Sequence, residues 1–397
     1  MKTAYEVFGA VFNINSERNM KKQDIKVDFD NSILALSNSL LHHFGVHTDY
    51  KSLPVLDSAL AQGYKNVVLL ILDCLGKNIL EKHLAPTDFL RQHKVADISS
   101  IFPPTTAAAT IAYHSGLPPI ASGWLGWMNY FEQYNRVIEN FRNIDFYTGE
   151  KLTTPHPAET VLKYETIYEK ILKQNPDMEY HKIFPAFEAG GTESFDELCT
   201  RIEEATSANN KRKIIAAYWT EPDHTIHEYG IGATEVTALV QAENERLAQM
   251  ATHLKDTLVI ISADHGALDV EEKIMNEHQD LCDTFRMYPT IETRFISFFI
   301  KNGEGDKFVR LFNQYYGSDF VLYTKEELLQ SHILGYGRQH PLIEKMLGDY
   351  FAVGFGNLSL NYDSGRRALE LFKATHAGYS PQEMTVPLIL LKCKKKY

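Results

Sequence analysis

Three runs, "NVVLLILD" (66–73), "KIIAAYW" (213–219) and "TLVIISAD" (257–264), are apolar at consecutive positions rather than at alternate ones. A strand with one wet face alternates. Consecutive apolar residues mark strands buried on both faces, as in a parallel sheet covered by helices. "TVPLILLK" (385–392) reads as a fourth such strand and "RFISFFI" (294–300) as a further candidate. Between 235 and 254, Val236, Leu239, Val240, Leu247, Met250, Ala251 and Leu254 recur at helical spacing. They form an amphipathic helix leading into the 257–264 strand. "TAAATIAYHS" (106–115) is alanine-rich with threonine at its front, so it can open a helix. The expected fold is an open α/β sheet, mostly parallel and sandwiched by helices.

The chain has 397 residues, more than one compact core of this kind needs. Residues 120–205, rich in aromatics and polar turns, and residues 276–370, rich in glycine loops, fit the alternation poorly. We expect a single domain over 1–397 with its core near 60–119, 210–275 and 371–397, and these two stretches inserted as a cap. A formal net charge of −11 argues against a surface for nucleic-acid duplexes. Only the C-terminal "KCKKKY" is locally basic, and it reads as a solvated tail. The four cysteines, at 74, 199, 282 and 393, lack C-x-x-C spacing, which suits reduced thiols in the cytoplasm. The start, "MKTAYEVFGAVFNINSERNMKK", lacks the basic-then-apolar layout of a leader. No run reaches the roughly 18–20 apolar residues that span a bilayer, so no membrane partner is expected. Oligomeric state is not legible in the sequence.

Ligands of open α/β sheets sit beyond the carboxyl ends of the strands. The 66–73 strand ends on Asp73, and the 213–219 strand runs into "TEPDHTIHEYG" with Asp223, His224 and His227. The 257–264 strand ends on Asp264 and His265, and "THAGYSPQEM" brings His376 ahead of the last strand. Several carboxylates gathered without a cation would be costly to bury. Mixed Asp and His donors suit zinc or a similar divalent ion. The Asp223-x-x-x-His227 spacing lets both side chains reach one ion, and Gly266 lets the backbone turn so that Asp264 and His265 can both face another. Two ions about 4 Å apart would clamp an in-line displacement at phosphorus. Thr105 and Thr106 stand before the alanine-rich helix, where a hydroxyl serves as a cap or, beside a metal, as a nucleophile.

The ordered series "LILDCLG", "FPPTTAAAT…GLPP", "EPDHTIHEYG", "SADHGALDV" and "THAGYSPQEMTVPLIL" resembles the alkaline phosphatase superfamily, and within it the type I phosphodiesterase and nucleotide pyrophosphatase family. The resemblance spans residues 66 to 392. It implies two divalent ions, zinc first and manganese as the alternative. It places Asp73, Thr106, Asp264 and His265 around one ion, and Asp223, His227 and His376 around the other. Thr106 takes the nucleophile's position, ten residues before the glycine of "GLPP", and Thr105 is its neighbour. His224 and His114 are read as supporting or packing residues. The family's phosphoryl-holding asparagine has no clear counterpart: Trp127 stands near its place and Asn129 is the nearest candidate. "HAG" replaces a frequent "HGG", adding one methyl beside His376.

The implied activity is hydrolysis of phosphodiester or nucleotide pyrophosphate bonds through a covalent threonine intermediate. The substrate would be a small-molecule phosphoester or nucleotide. Trp124, Trp127, Tyr130, Phe131 and Tyr134 could stack on a nucleobase, and Arg136 or Arg338 could reach in from the insertions. The alternatives are a phosphomonoesterase, a phosphonate hydrolase or a phosphomutase on the same core, or a non-catalytic metal-binding protein.

Overall fold

A computed structural model describes residues 20–153 and 155–393. The stretch read for a leader and most of the basic C-terminal tail lie outside the described residues. A six-stranded sheet runs in the order Lys94–Ser99, Thr385–Cys393, Thr257–Ser262, Asn66–Leu72, Lys213–Trp219, Glu179–Ile183. The last four are parallel to one another. Every residue of Asn66–Leu72 and Thr257–Ser262 is buried, which explains why both read as continuous apolar runs.

Two expectations about strands need correction, and one strand was missed. Thr385–Cys393 is a strand of this sheet but runs antiparallel to both neighbours. An apolar run reports burial on two faces, not direction. The chain enters this strand at the carboxyl edge, where Gly266 N–H donates to Glu383 O and Ser100 N–H to Met384 O, so it can only run back. The 294–300 candidate is a strand, Phe295–Phe298, but it belongs to another sheet. Glu179–Ile183 carries no continuous apolar run because it is an edge strand with mostly half-buried residues.

The second sheet has seven strands in the order Phe320–Thr324, Tyr350–Gly354, Phe295–Phe298, Thr290–Ile291, Met128–Phe131, Arg136–Glu139, Ile144–Asp145. All its pairings are antiparallel. The two stretches that broke the sequence alternation therefore meet in one sheet, joined where Ile291 pairs with Met128. Within 120–205, however, Glu179–Ile183 and the helix Phe195–Ser207 pack with the central sheet, against Lys213–Trp219.

Two helices anchor the site's edge. Thr234–His253 leads into Thr257–Ser262, burying Val236, Val240, Leu247 and Met250. Thr106–Ser115 starts after an extended Thr105 and ends on Gly116 at φ 69, a left-handed cap that favours glycine.

Candidate active site at the carboxyl edge

The predicted cation ligands converge. Asp73 follows the end of its strand, and its backbone N–H is held by Trp219 O of the neighbouring strand at 2.9 Å. Asp264 is fixed because Oδ1 accepts from Cys74 N and from His265 N, each at 3.0 Å. Its Oδ2 is left facing His265 Nε2 at 3.5 Å, and Asp73 Oδ1 faces the same nitrogen at 3.4 Å. His265 Nδ1 lies 3.1 Å from Gly266 O. A carbonyl only accepts, so Nδ1 carries the proton and Nε2 keeps its lone pair for the site.

The same device orients His227. Its Nδ1 donates to Ala374 O at 2.8 Å, turning Nε2 towards Asp223 Oδ2 at 3.2 Å. Asp223 opens the helix Asp223–Tyr229, so it and His227 stand one turn apart on one face. His376 adds a third donor, Nε2 at 3.9 Å from Asp223 Oδ1, and its ring stacks on His265 with centroids 3.8 Å apart. Ligand atoms of Asp73, Asp264 and His265 lie within 4.8 Å of one another, as do those of Asp223, His227 and His376.

The electrostatics call for a cation. Asp73 Oδ1, Asp223 Oδ1, Asp264 Oδ2 and His376 Nδ1 are buried with no hydrogen-bond partner. Burial, then the nearby Asp264 and Asp223, pushes the Asp73 carboxyl well above its usual range. Burial also raises Asp264. Asp223 goes the other way: burial works against ionisation, but His227, His376 and His265 outweigh it. His227, despite its burial, is raised to about 9 by Asp223. Burial and His265 hold His376 well below the usual imidazole value. Orphaned oxygen and nitrogen lone pairs in two triads are a donor set for divalent cations.

Thr106 occupies the first position of its helix, with Oγ1 3.2 Å from His265 Nε2. Thr105 makes no side-chain cap bond; its hydroxyl donates instead to Glu292 Oε1 at 2.6 Å. Glu292 was not singled out in the sequence. Its Oε1 also accepts from Trp127 N at 2.6 Å, and burial lifts the carboxyl to about 7. Tyr218 was missed as well, and its hydroxyl donates to Asp73 Oδ2. Tyr218 had a signal, as the penultimate residue of the strand paired with Asp73's; Glu292 had none.

A cavity of about 880 Å³ opens over these residues. Thr106, Asp223, His227 and His376 line it, with Trp127, Glu292, Arg142, Arg367, Phe146 and Tyr147 further out. Trp127 lines this wall. Asn129 is absent from that wall: its strand turns it inward, where Nδ2 donates to Gly123 O. Of the five aromatics proposed for stacking, Trp127 alone lines the cavity; Trp124 and Phe131 are core residues. Arg136 pairs with Asp145 and Glu150, and Arg338 does not line the cavity. His224 lines the wall outside both triads. His114 is half-buried against Tyr168 and Phe184.

Gly266 is required for a reason other than the expected turn. A Cβ there would come within 2.1 Å of Gln382 O, so glycine permits close backbone approach. Ala377 stands at φ 83, a left-handed conformation that its methyl makes costly.

A mainly parallel sheet carrying two Asp/His triads and a threonine at its carboxyl edge defines the class: phosphoester hydrolases of the alkaline phosphatase superfamily. The chain belongs to the type I phosphodiesterase / nucleotide pyrophosphatase family, whose model matches residues 67–287. Murine ectonucleotide pyrophosphatase / phosphodiesterase 5 is similar in structure, with a TM-score of 0.61 and 14% identity over 83% of this chain and 90% of that one. An inactive form of the murine protein in complex with AMP superposes equally well. Phosphonoacetate hydrolase from Sinorhizobium meliloti 1021, in complex with phosphonoformate, follows with a TM-score of 0.57 and 14% identity over 82% and 89% of the two chains. At that identity the likeness shows the fold. No curated protein gives a significant match.

Proposed function

We propose that the protein hydrolyses phosphodiester or nucleotide pyrophosphate bonds, with Thr106 as nucleophile and two divalent ions held by Asp73, Thr106, Asp264 and His265 and by Asp223, His227 and His376. The observation that carries this reading is the set of orphaned buried donor atoms, two of them facing His265 Nε2, which lies 3.2 Å from the Thr106 hydroxyl. The donor set favours zinc, with manganese as the alternative. When bound, such ions activate oxygen nucleophiles and offset charge at phosphorus.

The chain's own groups define the rest of the reaction. Thr106 Oγ1 attacks phosphorus, its proton leaves to solvent, and the bond to the leaving oxygen breaks. The N-terminal peptide groups of Thr106–Ser115 are placed to hold phosphoryl oxygens. Water then opens the threonyl ester and regenerates the hydroxyl. Glu292 supports a diester over a monoester. It lies beside Thr105, and its carboxyl, ionised as pH rises through about 7, would repel a dianionic monoester more than a singly charged diester.

We read the chain as one domain whose central sheet supplies the ligands. The second sheet walls the cavity through Met128, Glu139 and Ile296. All four cysteines are free, which agrees with a reducing, cytoplasmic setting. The test is a substrate panel on metal-reconstituted protein. We expect kcat/KM for p-nitrophenyl diesters to exceed that for the monoester and for phosphonates, and chelation to abolish turnover. Turnover that survives chelation, or a preference for the monoester, would contradict the reading.

A further inference from the structure

Cys74 directly follows Asp73 and is fully buried. Its Sγ, an Asp223 carboxylate oxygen and a His265 ring nitrogen lie within 4.8 Å of one another. Asp223 belongs to one ligand triad and His265 to the other, so the thiol lies within reach of a ligand from each. The backbone at Cys74 is left-handed, at φ 62, where glycine is at ease and a side chain is not. That conformation is pinned by the Cys74 N–H donating to Asp264 Oδ1. The neighbouring Asp264 Oδ2 and Asp73 Oδ1, on fully or almost fully buried side chains, have no hydrogen-bond partner. The thiol therefore stands among unpaired donors.

We propose that Cys74 is a sulfur ligand of this centre, bridging the Asp223 and His265 triads and biasing it towards zinc or cadmium over manganese or magnesium. The proposal rests on reading the triads as cation sites. On binding, the S–H bond breaks, the proton leaves to solvent and a thiolate lone pair passes to the cation. Soft sulfur then discriminates among metals in a way that oxygen and nitrogen donors alone do not.

X-ray absorption at the zinc edge tests this on the full chain reconstituted with zinc. We expect a sulfur scatterer at about 2.3 Å from zinc in the wild type, lost in Cys74→Gly, whose new residue suits the local φ, and in Cys74→Ser. Cobalt-substituted protein should show a sulfur-to-cobalt charge-transfer band that disappears in the same variants. Preference for zinc over manganese should fall roughly 10-fold or more with them, on the scale of losing a group that supports a metal site. Zinc bound in a shell of nitrogen and oxygen alone, or a sulfur signal that persists in Cys74→Gly, would overturn the proposal while leaving the two-cation reading intact. A wild-type protein that takes up no zinc, cobalt or manganese would overturn that reading, and Cys74's role with it.

Discussion

Thr105 and Thr106 are adjacent in sequence and differ in what their hydroxyls face. One donates to Glu292, the other stands 3.2 Å from His265 Nε2. Nothing local separates them, so the sequence alone left both open until the order of the motifs was weighed. Asp73, Asp264 and His265 were legible because buried apolar runs stop on them, and Asp223, His227 and His376 because they stand in the segments that follow or precede such runs. Glu292 was not, because it lies far along the chain in a short strand connection and meets Thr105 only in the folded molecule. Its carboxyl gives a pH signature. A folded pKa raised to about 7 contributes stability that is complete below the unfolded value near 4.5 and is lost as pH rises through 7. In metal-free protein, the stability of Glu292→Gln relative to wild type should therefore increase between pH 5 and pH 8, measured by urea unfolding. A flat difference would refute it. At Ala377, with φ 83, replacement by glycine should stabilise the fold by about 1 kcal/mol, read as a higher urea midpoint.

Among the elements, helices and fully buried strands were the easiest to read. The helix expected over 235–254 is Thr234–His253, and that expected over 106–115 is Thr106–Ser115. The second sheet was not foreseen, because its strands are two to five residues long, too short for period-two patterning to register. Direction was the other blind spot, since Thr385–Cys393 has the composition of a parallel strand and the opposite sense. A buried ion pair ties the two sheets. Arg294 donates to both oxygens of Glu383, at 2.8 and 3.0 Å, and also to Leu358 O and Gly356 O. Glu383 in turn accepts from Gly378 N, two residues after His376. Both side chains are fully buried. Arg294→Met should cost about 3–5 kcal/mol, because it strands a buried carboxylate. Exchanging Glu383 to Leu in the same chain should recover part of that loss, measured by denaturant midpoint.

At the scale of the molecule, a central sheet delivers the donors and a second sheet built from two distant stretches encloses the space above them. Among the described residues no helix is long and apolar enough to cross a membrane. The wide cavity and its aromatic and arginine-bearing outer wall leave room for a leaving group much larger than phosphate. The most direct measurement is turnover of bis(p-nitrophenyl) phosphate by wild type and Thr106→Ala, each carrying the same measured metal content. Wild type should turn the diester over, and Thr106→Ala, with its metals retained, should be slower by at least about 1,000-fold, as expected when a covalent nucleophile is removed. A metal-loaded Thr106→Ala protein that matches wild type, or a metal-loaded wild type inert towards the diester, would contradict it.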